Sequence, residues 1–283
     1  MEMTRMSRSM VDCGGLGIFC RDTRTEGEAI LCLHGRWGRG ETWIDFIRRY
    51  GGRYRVIAPD LRGHGLSDKP LAKYTAQEMA ADMAALLDRL GVERAIVVGH
   101  SMGGHVAGWL AAREPSRVRA VAILDKSSSG PAKGSALPPE ELPPVDPLTK
   151  DWPMPFPSLR DAEEWIRAAT DSELSFRYFM NSLAEGVEGW RMMFSAQAIA
   201  ANMAYYEDWS ALLPDIACPA LVLRSGSHEA VPDADFERMR NLLPDCLALE
   251  VSGADHNVHL SDPEEFYACF DRFLGKVEGR GRA

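Results

Sequence analysis

A single serine stands among closely spaced glycines in the stretch VVGHSMGG, which covers residues 97–104. An apolar run precedes this stretch and a segment of helical character follows it. Glycine costs backbone entropy at such a junction, so the missing Cβ must serve a purpose there. A sharp strand-to-helix turn that exposes the serine oxygen needs the space left by the missing Cβ atoms. We therefore predict Ser101 as a nucleophile. An ordinary connection with a serine N-cap is the alternative.

Ser101 needs a base that takes its proton, and a histidine near the end of the chain suits this role. His256 lies in SGADHNVHLSDPEEF, directly after an apolar run that predicts a strand. His259 follows in the same stretch and competes for the role. We predict His256 because it is nearer the strand end, where a sheet fixes its position.

Backbone N–H donors for an anionic intermediate are the third requirement of this chemistry. The glycine-rich stretch HGRWGRG, at residues 34–40, follows another predicted strand and frees such groups. We expect the N–H groups of Arg36 and Met102 to form the oxyanion hole, with Trp37 as the alternative to Arg36. The Arg36 side chain is then free to bind a substrate carboxylate, or else faces solvent or an acidic neighbour.

Short apolar runs alternate with longer amphipathic runs, which predicts a mostly parallel sheet covered by helices on both faces. The predicted strands cover residues 17–20, 29–33, 54–59, 95–98, 118–124, 220–224 and 247–251. The predicted core helices cover residues 41–50, 75–90, 102–113, 233–243 and 263–274. Thr75 followed by Glu78 predicts a capping box at the start of the second of these helices.

The segment 128–213 interrupts this alternation, because no strand pattern occurs in it. It begins with a stretch rich in proline, serine and glycine and continues with helical runs at 159–169, 172–184 and 196–209. We predict an inserted helical cap at 128–213 between two parts of one core, at 1–127 and 214–283. The residues predicted to contact substrate are Trp190 and Tyr205 of the cap, with Trp37 and His100 of the core.

The composition is that of an ordinary globular protein, with 46% hydrophobic and 26% charged residues. A net charge of −9 disfavours nucleic acid and anionic membranes as partners. The first residues lack the apolar core of a signal peptide, and no apolar run reaches the ~18 residues of a membrane span. We therefore expect a cytoplasmic monomer or homodimer with reduced cysteines. No histidine or cysteine spacing suggests a metal site, and no cofactor is expected.

The combination of HGRWG, DLRGHGLSD, GHSMGG and DHNVHLSDPEEF resembles the α/β-hydrolase superfamily. Within it, the chain is similar to the cap-bearing branch of serine esterases, lactonases and haloperoxidase-like enzymes. The resemblance covers nearly all of the predicted core. It implies a doubly wound, mostly parallel sheet of about eight strands with the cap over its catalytic edge. It also implies a structural role for the turn at residues 60–67. Serine at position 101 excludes the members that use an aspartate nucleophile.

The resemblance further implies that the acid of a catalytic triad lies between the serine and the histidine in the chain. Glu229 lies in the turn SGSHEAVP after a predicted strand, where such proteins usually carry an aspartate, and we predict it as the acid. Its side chain is one methylene longer than that of aspartate. Asp125, at the end of the predicted strand AVAILD, is the alternative.

Together these residues predict hydrolysis of a carboxylic ester or lactone through an acyl-serine intermediate. The aromatic cap favours a small to medium, partly apolar substrate. C–C bond hydrolysis and cofactor-free perhydrolysis use the same triad and are the alternatives within the class. A sensor that binds a small molecule in the same pocket and turns it over slowly is the alternative from another class.

Overall fold

A twisted sheet of eight strands forms the centre of the computed structural model, which describes residues 6–280. The strands within residues 6–280 are β1 (Ser7–Asp12), β2 (Gly17–Asp22), β3 (Ala29–Leu33), β4 (Arg55–Pro59), β5 (Ala95–His100), β6 (Val118–Leu124), β7 (Leu183–Gly186), β8 (Gly189–Met192), β9 (Ala220–Arg224) and β10 (Cys246–Glu250). The order in the main sheet is β1-β2-β4-β3-β5-β6-β9-β10. β2 runs antiparallel to β1 and to β4, whereas all other neighbours are parallel. The predicted mostly parallel, doubly wound sheet is confirmed.

Helices cover both faces of this sheet. The α-helices of the described chain are α1 (Ile44–Tyr50), α2 (Ala76–Arg89), α3 (Met102–Arg113), α4 (Leu159–Ala169), α5 (Glu173–Met180), α6 (Ala196–Ala204), α7 (Asp233–Leu242), α8 (Val258–Ser261) and α9 (Pro263–Arg280). Side chains of α2, α3 and α7 form one apolar layer with the sheet, and those of α1 and α9 form the other. The capping box of α2 is present, since Thr75 and Glu78 each accept a hydrogen bond from the other's backbone N–H. Within residues 6–280, no helix combines the length and apolar character needed to cross a membrane.

The edge strand β1 was not predicted. Its sequence, SRSMVD, alternates between partly buried and exposed positions and contains few apolar residues. It pairs with β2 along its whole length, and Val11 packs against the core. Such a strand gives no local signal, because an edge strand exposes one side to solvent.

The segment 128–213 contains three of the helices, α4, α5 and α6, but it is not purely helical. β7 and β8 form a separate two-stranded antiparallel hairpin, so the expectation that no strand occurs there is wrong. β8 begins directly after the hairpin turn at Gly189, whose φ of +127° favours glycine. The predicted division at 127/128 and 213/214 stays a prediction. Of the predicted core parts, residues 1–5 and 281–283 lie outside the described residues.

Asp60 anchors the turn that follows β4. Its side chain is fully buried and accepts hydrogen bonds from Arg21 Nη1 at 2.8 Å, Gly40 N at 2.7 Å and Leu66 N at 2.9 Å. One carboxylate thus connects β2, the segment before α1 and the turn itself. Since Arg21 is also buried, with 5% of its side chain exposed, this ion pair has little access to water.

We expect Asp60→Ala to lower the free energy of unfolding by about 3–5 kcal/mol, because it leaves the Arg21 charge buried without a partner. Urea unfolding measures this change. The control is Asp45→Ala, which removes an exposed carboxylate paired with Arg48 at 2.7 Å. The control is expected to change the free energy of unfolding by less than about 1 kcal/mol. Equal losses in the two variants would contradict the structural role of Asp60.

Candidate active site

Ser101 occupies a sharp turn between β5 and α3. Its φ of 52° and ψ of −117° lie outside the usual regions for a residue with a side chain. A Cβ on Gly99 would lie 2.0 Å from the carbonyl oxygen of Gly103, and a Cβ on Gly103 would lie 2.3 Å from that of Leu33. Both glycines therefore permit backbone contacts that any other residue would block. This geometry is that of a nucleophile elbow, and within the described chain Ser101 Oγ caps no N–H group of α3.

Ser101 is the first member of a chain of hydrogen bonds. Its Oγ lies 2.9 Å from Nε2 of His256, and Nδ1 of the same ring lies 2.8 Å from Oδ2 of Asp125. An ionised carboxylate only accepts hydrogen bonds, so Nδ1–H of His256 is the donor to Asp125. In the neutral ring Nε2 is then the acceptor, and it receives the proton of Ser101. The imidazole is oriented to act as a general base.

Asp125 follows β6, and its side chain is buried. Besides His256, Ser225 donates to it through the backbone N at 2.8 Å and through Oγ at 3.1 Å. β6 lies between β5, which carries Ser101, and β9, which leads to Ser225. The end of β6 therefore lies next to the end of β5, and Asp125 there contacts the same His256 ring as Ser101.

The expected position of the acid at Glu229 does not agree with this geometry. Glu229 is exposed, one strand further from Ser101, in the turn after β9. Its backbone N–H donates to Ser227 Oγ at 3.4 Å. The contribution of this turn to the site is Ser225, its first residue, which donates hydrogen bonds to Asp125. The alternative position, Asp125, is the one that meets His256.

If Asp125 orients the imidazole and stabilises its charged form, Asp125→Asn should lower kcat by about 10⁴. Glu229→Gln is the matched control, because it makes the same carboxylate-to-amide change at the competing position. We expect it to change kcat by less than about threefold, since an exposed side chain away from the ring cannot affect its tautomer. Steady-state kinetics on one ester measure both effects. A larger loss in Glu229→Gln would return the acid to that position.

The loop after β3 lies against the serine. A hydrogen bond of 3.2 Å from Gly38 N to Gly35 O closes a turn around Arg36 and Trp37. A Cβ on Gly35 would lie 3.3 Å from the Cβ of Ser101. Because a trans peptide places its N–H opposite its carbonyl, the Arg36 N–H faces away from the closed side of the turn. This arrangement is compatible with the predicted oxyanion donors, Arg36 and Met102, whose role remains a prediction.

Residues of the predicted cap (128–213) and of the predicted core both form hydrogen bonds with this loop. Tyr178 of α5 donates its hydroxyl hydrogen to the carbonyl oxygen of Arg36 at 3.0 Å, and Ser182 donates to that of Trp37 at 2.8 Å. From the core, Nδ1 of His34 lies 2.8 Å from the oxygen of Gly35, and its Nε2 accepts from Leu61 N at 2.9 Å. Burial lowers the pKa of His34 to about 4, so the ring stays neutral and keeps both hydrogen bonds near neutral pH.

A cavity of about 180 Å³ opens above Ser101 and His256. Of the four residues expected to contact substrate, Trp37 and His100 line it. The other lining residues are Arg36, Leu148, Ser175, Tyr178, Phe179 and Asn257. The cap residues among them come from α5 and the loop before α4. Sequence reasoning did not select them, because nothing local indicates which of the cap's aromatic residues face the core.

Trp190 and Tyr205 do not line this cavity, contrary to expectation. Trp190 forms a two-way backbone bridge with Phe156 and packs into an apolar cluster within the cap. Tyr205 donates its hydroxyl hydrogen to Leu137 O and lines a second cavity, of about 220 Å³, on another side of the cap. Both rings stabilise the cap or its junction, where their large apolar area is buried.

His100 connects the serine strand to the histidine loop. Its ring is buried, and Nε2 lies 2.8 Å from the carbonyl oxygen of His256. A carbonyl only accepts, so Nε2 carries the hydrogen. Burial lowers the pKa of His100 well below its usual value, which keeps the ring neutral and the tautomer fixed. The bond ties the backbone of His256 to the end of β5.

Loss of this tie should displace the general base. We expect His100→Leu to lower kcat by about 10- to 100-fold, because small displacements of a reacting group have effects of this size. KM should change much less if the residue positions His256 and does not bind substrate. His100→Gln can still donate to the carbonyl and should recover part of the rate. Equal losses in both variants would point to a packing role.

Comparisons with known proteins show the family of this chain and the proteins that it is similar to. The model of the alpha/beta hydrolase family matches residues 30–268. The chain is 29% identical over 268 residues to 2-(acetamidomethylene)succinate hydrolase of Mesorhizobium japonicum, covering 93% of this chain and 94% of the relative. It is 29% identical over 225 residues to 2-hydroxy-6-oxononadienedioate/2-hydroxy-6-oxononatrienedioate hydrolase of Burkholderia vietnamiensis, covering 77% and 76%. The crystal structure of E-2-(acetamidomethylene)succinate hydrolase superposes with a TM-score of 0.82 at 27% identity, covering 96% of this chain and all of that one.

Proposed function

The chain belongs to the alpha/beta hydrolase family and is a hydrolase, and on this basis we propose that it cleaves a carboxylic ester or lactone through an acyl-serine intermediate. The observation that carries the proposal is the hydrogen-bond chain from Asp125 through His256 to Ser101. Each group in it has the hydrogen-bond partner that nucleophilic catalysis by serine requires.

In the first half-reaction, Ser101 Oγ attacks the carbonyl carbon while its proton moves to Nε2 of His256. The carbonyl oxygen becomes an anion, which the N–H groups of Arg36 and Met102 stabilise. α3 begins at Met102, and the positive end of its dipole also stabilises this anion. The C–O bond to the leaving group then breaks, and the alkoxide takes the proton from His256 as the alcohol departs.

In the second half-reaction, water attacks the acyl carbon. His256 takes one proton from the water and returns it to Ser101 Oγ as the acyl bond breaks. The carboxylic acid product is released and the serine is restored. With a lactone, the alcohol and the acyl group stay joined, so a single hydroxy acid leaves after hydrolysis. Asp125 stabilises the charged imidazole in both half-reactions.

The cavity and the relatives support a small substrate. A volume of about 180 Å³ is below the usual range of roughly 300–1,000 Å³ for drug-sized ligands. The names of the two relatives describe a succinate and two dioates, and both kinds of compound carry two carboxylates. These names support a small substrate with a carboxylate in addition to the bond that is cleaved.

C–C bond hydrolysis is the second candidate, and one observation favours it. The name of the Burkholderia vietnamiensis relative describes hydroxy-oxo-dioates, which contain no ester or lactone bond. The same Ser101 and His256 could cleave the bond next to a ketone carbonyl. A panel that includes esters, lactones and a diketone separates the two candidates by which class has the highest kcat/KM.

Ser101→Ala removes only the attacking oxygen, so we expect kcat to fall by more than about a hundredfold while the melting temperature stays the same. Wild-type protein should react covalently with a fluorophosphonate at Ser101, as peptide mass spectrometry would show. Ser116→Ala, at an exposed position, is the control and should retain full labelling and rate. Labelling at another residue, or activity retained in Ser101→Ala, would refute the serine mechanism.

A further inference from the structure

An exposed leucine borders the active-site cavity. Leu148 lines this cavity together with Ser101 and His256. Tyr178 and Phe179, which also line it, are buried, whereas Leu148 is 45% exposed. Since Leu148 faces both the cavity and the solvent, it lies at the mouth through which a substrate enters.

A buried carboxylate organises the loop that carries Leu148. Oδ1 of Asp146 accepts a hydrogen bond from the backbone N of Leu148 at 3.2 Å, and Oδ2 accepts from Thr149 Oγ1. The backbone N of Lys150 donates to the carbonyl oxygen of Asp146 at 2.9 Å. Residues 146–150, which we call the rim loop, therefore form a closed turn around one side chain, as aspartate favours.

The rim loop is attached to the cavity wall on both sides of Leu148. At its first residue, Oδ2 of Asp146 accepts a hydrogen bond from Trp37 Nε1 at 3.0 Å. Just after its last residue, the ring of Trp152 packs edge-on against that of Phe179, with ring centres 5.2 Å apart. Trp37 and Phe179 both line the cavity. The chain therefore has one contact with the wall before Leu148 and another after it.

The anchor at Asp146 restricts a segment that would otherwise be mobile. Burying a carboxylate is unfavourable unless hydrogen bonds replace its hydration, and three donors on three residues do so here. Surface loops are usually more mobile than the elements they connect. A mobile leucine would move aside for a large substrate, whereas an anchored one can exclude it by size.

The small volume of the cavity gives the mouth its importance. At about 180 Å³, the cavity is below the usual size range for drug-sized ligands. A substrate whose acyl or alcohol group exceeds this volume must extend through the mouth, past Leu148. The leucine side chain has no polar atom, so it discriminates between substrates by the length and shape of their apolar groups.

We propose that Leu148 sets the upper length of the group that extends from the cleaved bond to the cavity mouth, and that Asp146 positions Leu148 by fixing the rim loop to Trp37. The inference rests on the proposed function, because it assigns the substrate class of the same site: compounds with a short acyl or alcohol group on that side. Leu148 is a specificity-determining residue in this proposal and Asp146 is a positioning residue. The chemistry at Ser101 remains as described above.

The test measures kcat/KM in two series of esters, p-nitrophenyl esters from acetate to octanoate and acetate esters from ethyl to octyl. Leu148→Ala removes most of the side chain at the mouth. In the series that extends to the mouth, we expect it to raise the ratio of long-chain to short-chain kcat/KM by at least about tenfold. Each methylene group moved from water to an apolar site is worth a factor of about four. Leu148→Trp should lower the same ratio, and unchanged ratios in both series would overturn the proposal.

Val145→Ala is the matched control for Leu148→Ala. Val145 directly precedes the rim loop and is 48% exposed, but it is not one of the described residues that line the cavity. Truncation at either exposed position should leave the melting temperature nearly unchanged. We expect Val145→Ala to leave both length ratios unchanged. A shift as large as that of Leu148→Ala would contradict the specific role of Leu148.

Asp146→Asn tests the anchor. The amide keeps the size of the side chain but has one acceptor oxygen, so it loses either the bond to Leu148 N or those to Trp37 and Thr149. The length ratio should shift in the same direction as in Leu148→Ala, by at least about threefold. Asp151→Asn, at an exposed carboxylate just beyond the rim loop, is the control and should not shift it. A lower melting temperature with an unchanged ratio in Asp146→Asn would overturn its positioning role.

A double variant shows whether Asp146 acts through Leu148. If it does, Asp146→Asn shifts the length ratio in the wild-type protein but has little further effect in the Leu148→Ala background. Additive shifts would mean that the two residues act independently, and would contradict the positioning role of Asp146.

The outcomes separate the two levels of the proposal. If Ser101 reacts with a fluorophosphonate but Leu148→Ala leaves the length ratios unchanged, the serine mechanism stands and the role of Leu148 is refuted. If Ser101 does not react, the serine mechanism fails, and calorimetry with butanoate and octanoate decides the role of Leu148 without any turnover. A preference for octanoate that rises in Leu148→Ala supports this role, and an unchanged preference overturns it.

Discussion

The structure depends on a close backbone contact at the end of β5. A Cβ on Gly99 would lie only 2.0 Å from the carbonyl oxygen of Gly103. A Cβ on Gly103 would lie only 2.3 Å from the carbonyl oxygen of Leu33. The contact brings β3, β5 and α3 together at one point and forces the chain to reverse at Ser101. The unusual φ and ψ of this residue are the local cost, and such strain persists only where the surroundings hold it. The loop after β3 adjoins the serine for the same reason.

The remaining parts of the site follow from the order of the strands. β6 is the next neighbour of β5, so the residue after β6 lies beside Ser101. Asp125 occupies this position, and two hydrogen bonds from Ser225 of the next strand end orient its carboxylate. His256 is tied at both ends, through Asp125 at its ring and through His100 at its backbone carbonyl. Three neighbouring strand ends therefore fix three groups that are far apart in the sequence.

Residues of the segment 128–213, the predicted cap, contribute to the site. Tyr178 and Ser182 bind the carbonyl oxygens of Arg36 and Trp37, and Asn202 binds the Arg36 side chain. A change in the cap can therefore alter the loop that is expected to stabilise the oxyanion.

Patterns that are local in the chain were sufficient for much of this protein. Hydrophobic runs, glycine spacing and capping residues predicted most strands and helices, the turn at Ser101, the base His256 and the loop at Arg36, because each depends on neighbouring residues. The edge strand β1 and the cap hairpin gave no such signal. The resemblance favoured Glu229 as the acid because its turn matches the usual position, and only the neighbouring ends of β5 and β6 place Asp125 at the ring. Tertiary structure likewise decided that Tyr178 faces the serine and that Trp190 and Tyr205 do not, since the face that a cap residue presents depends on how the cap packs.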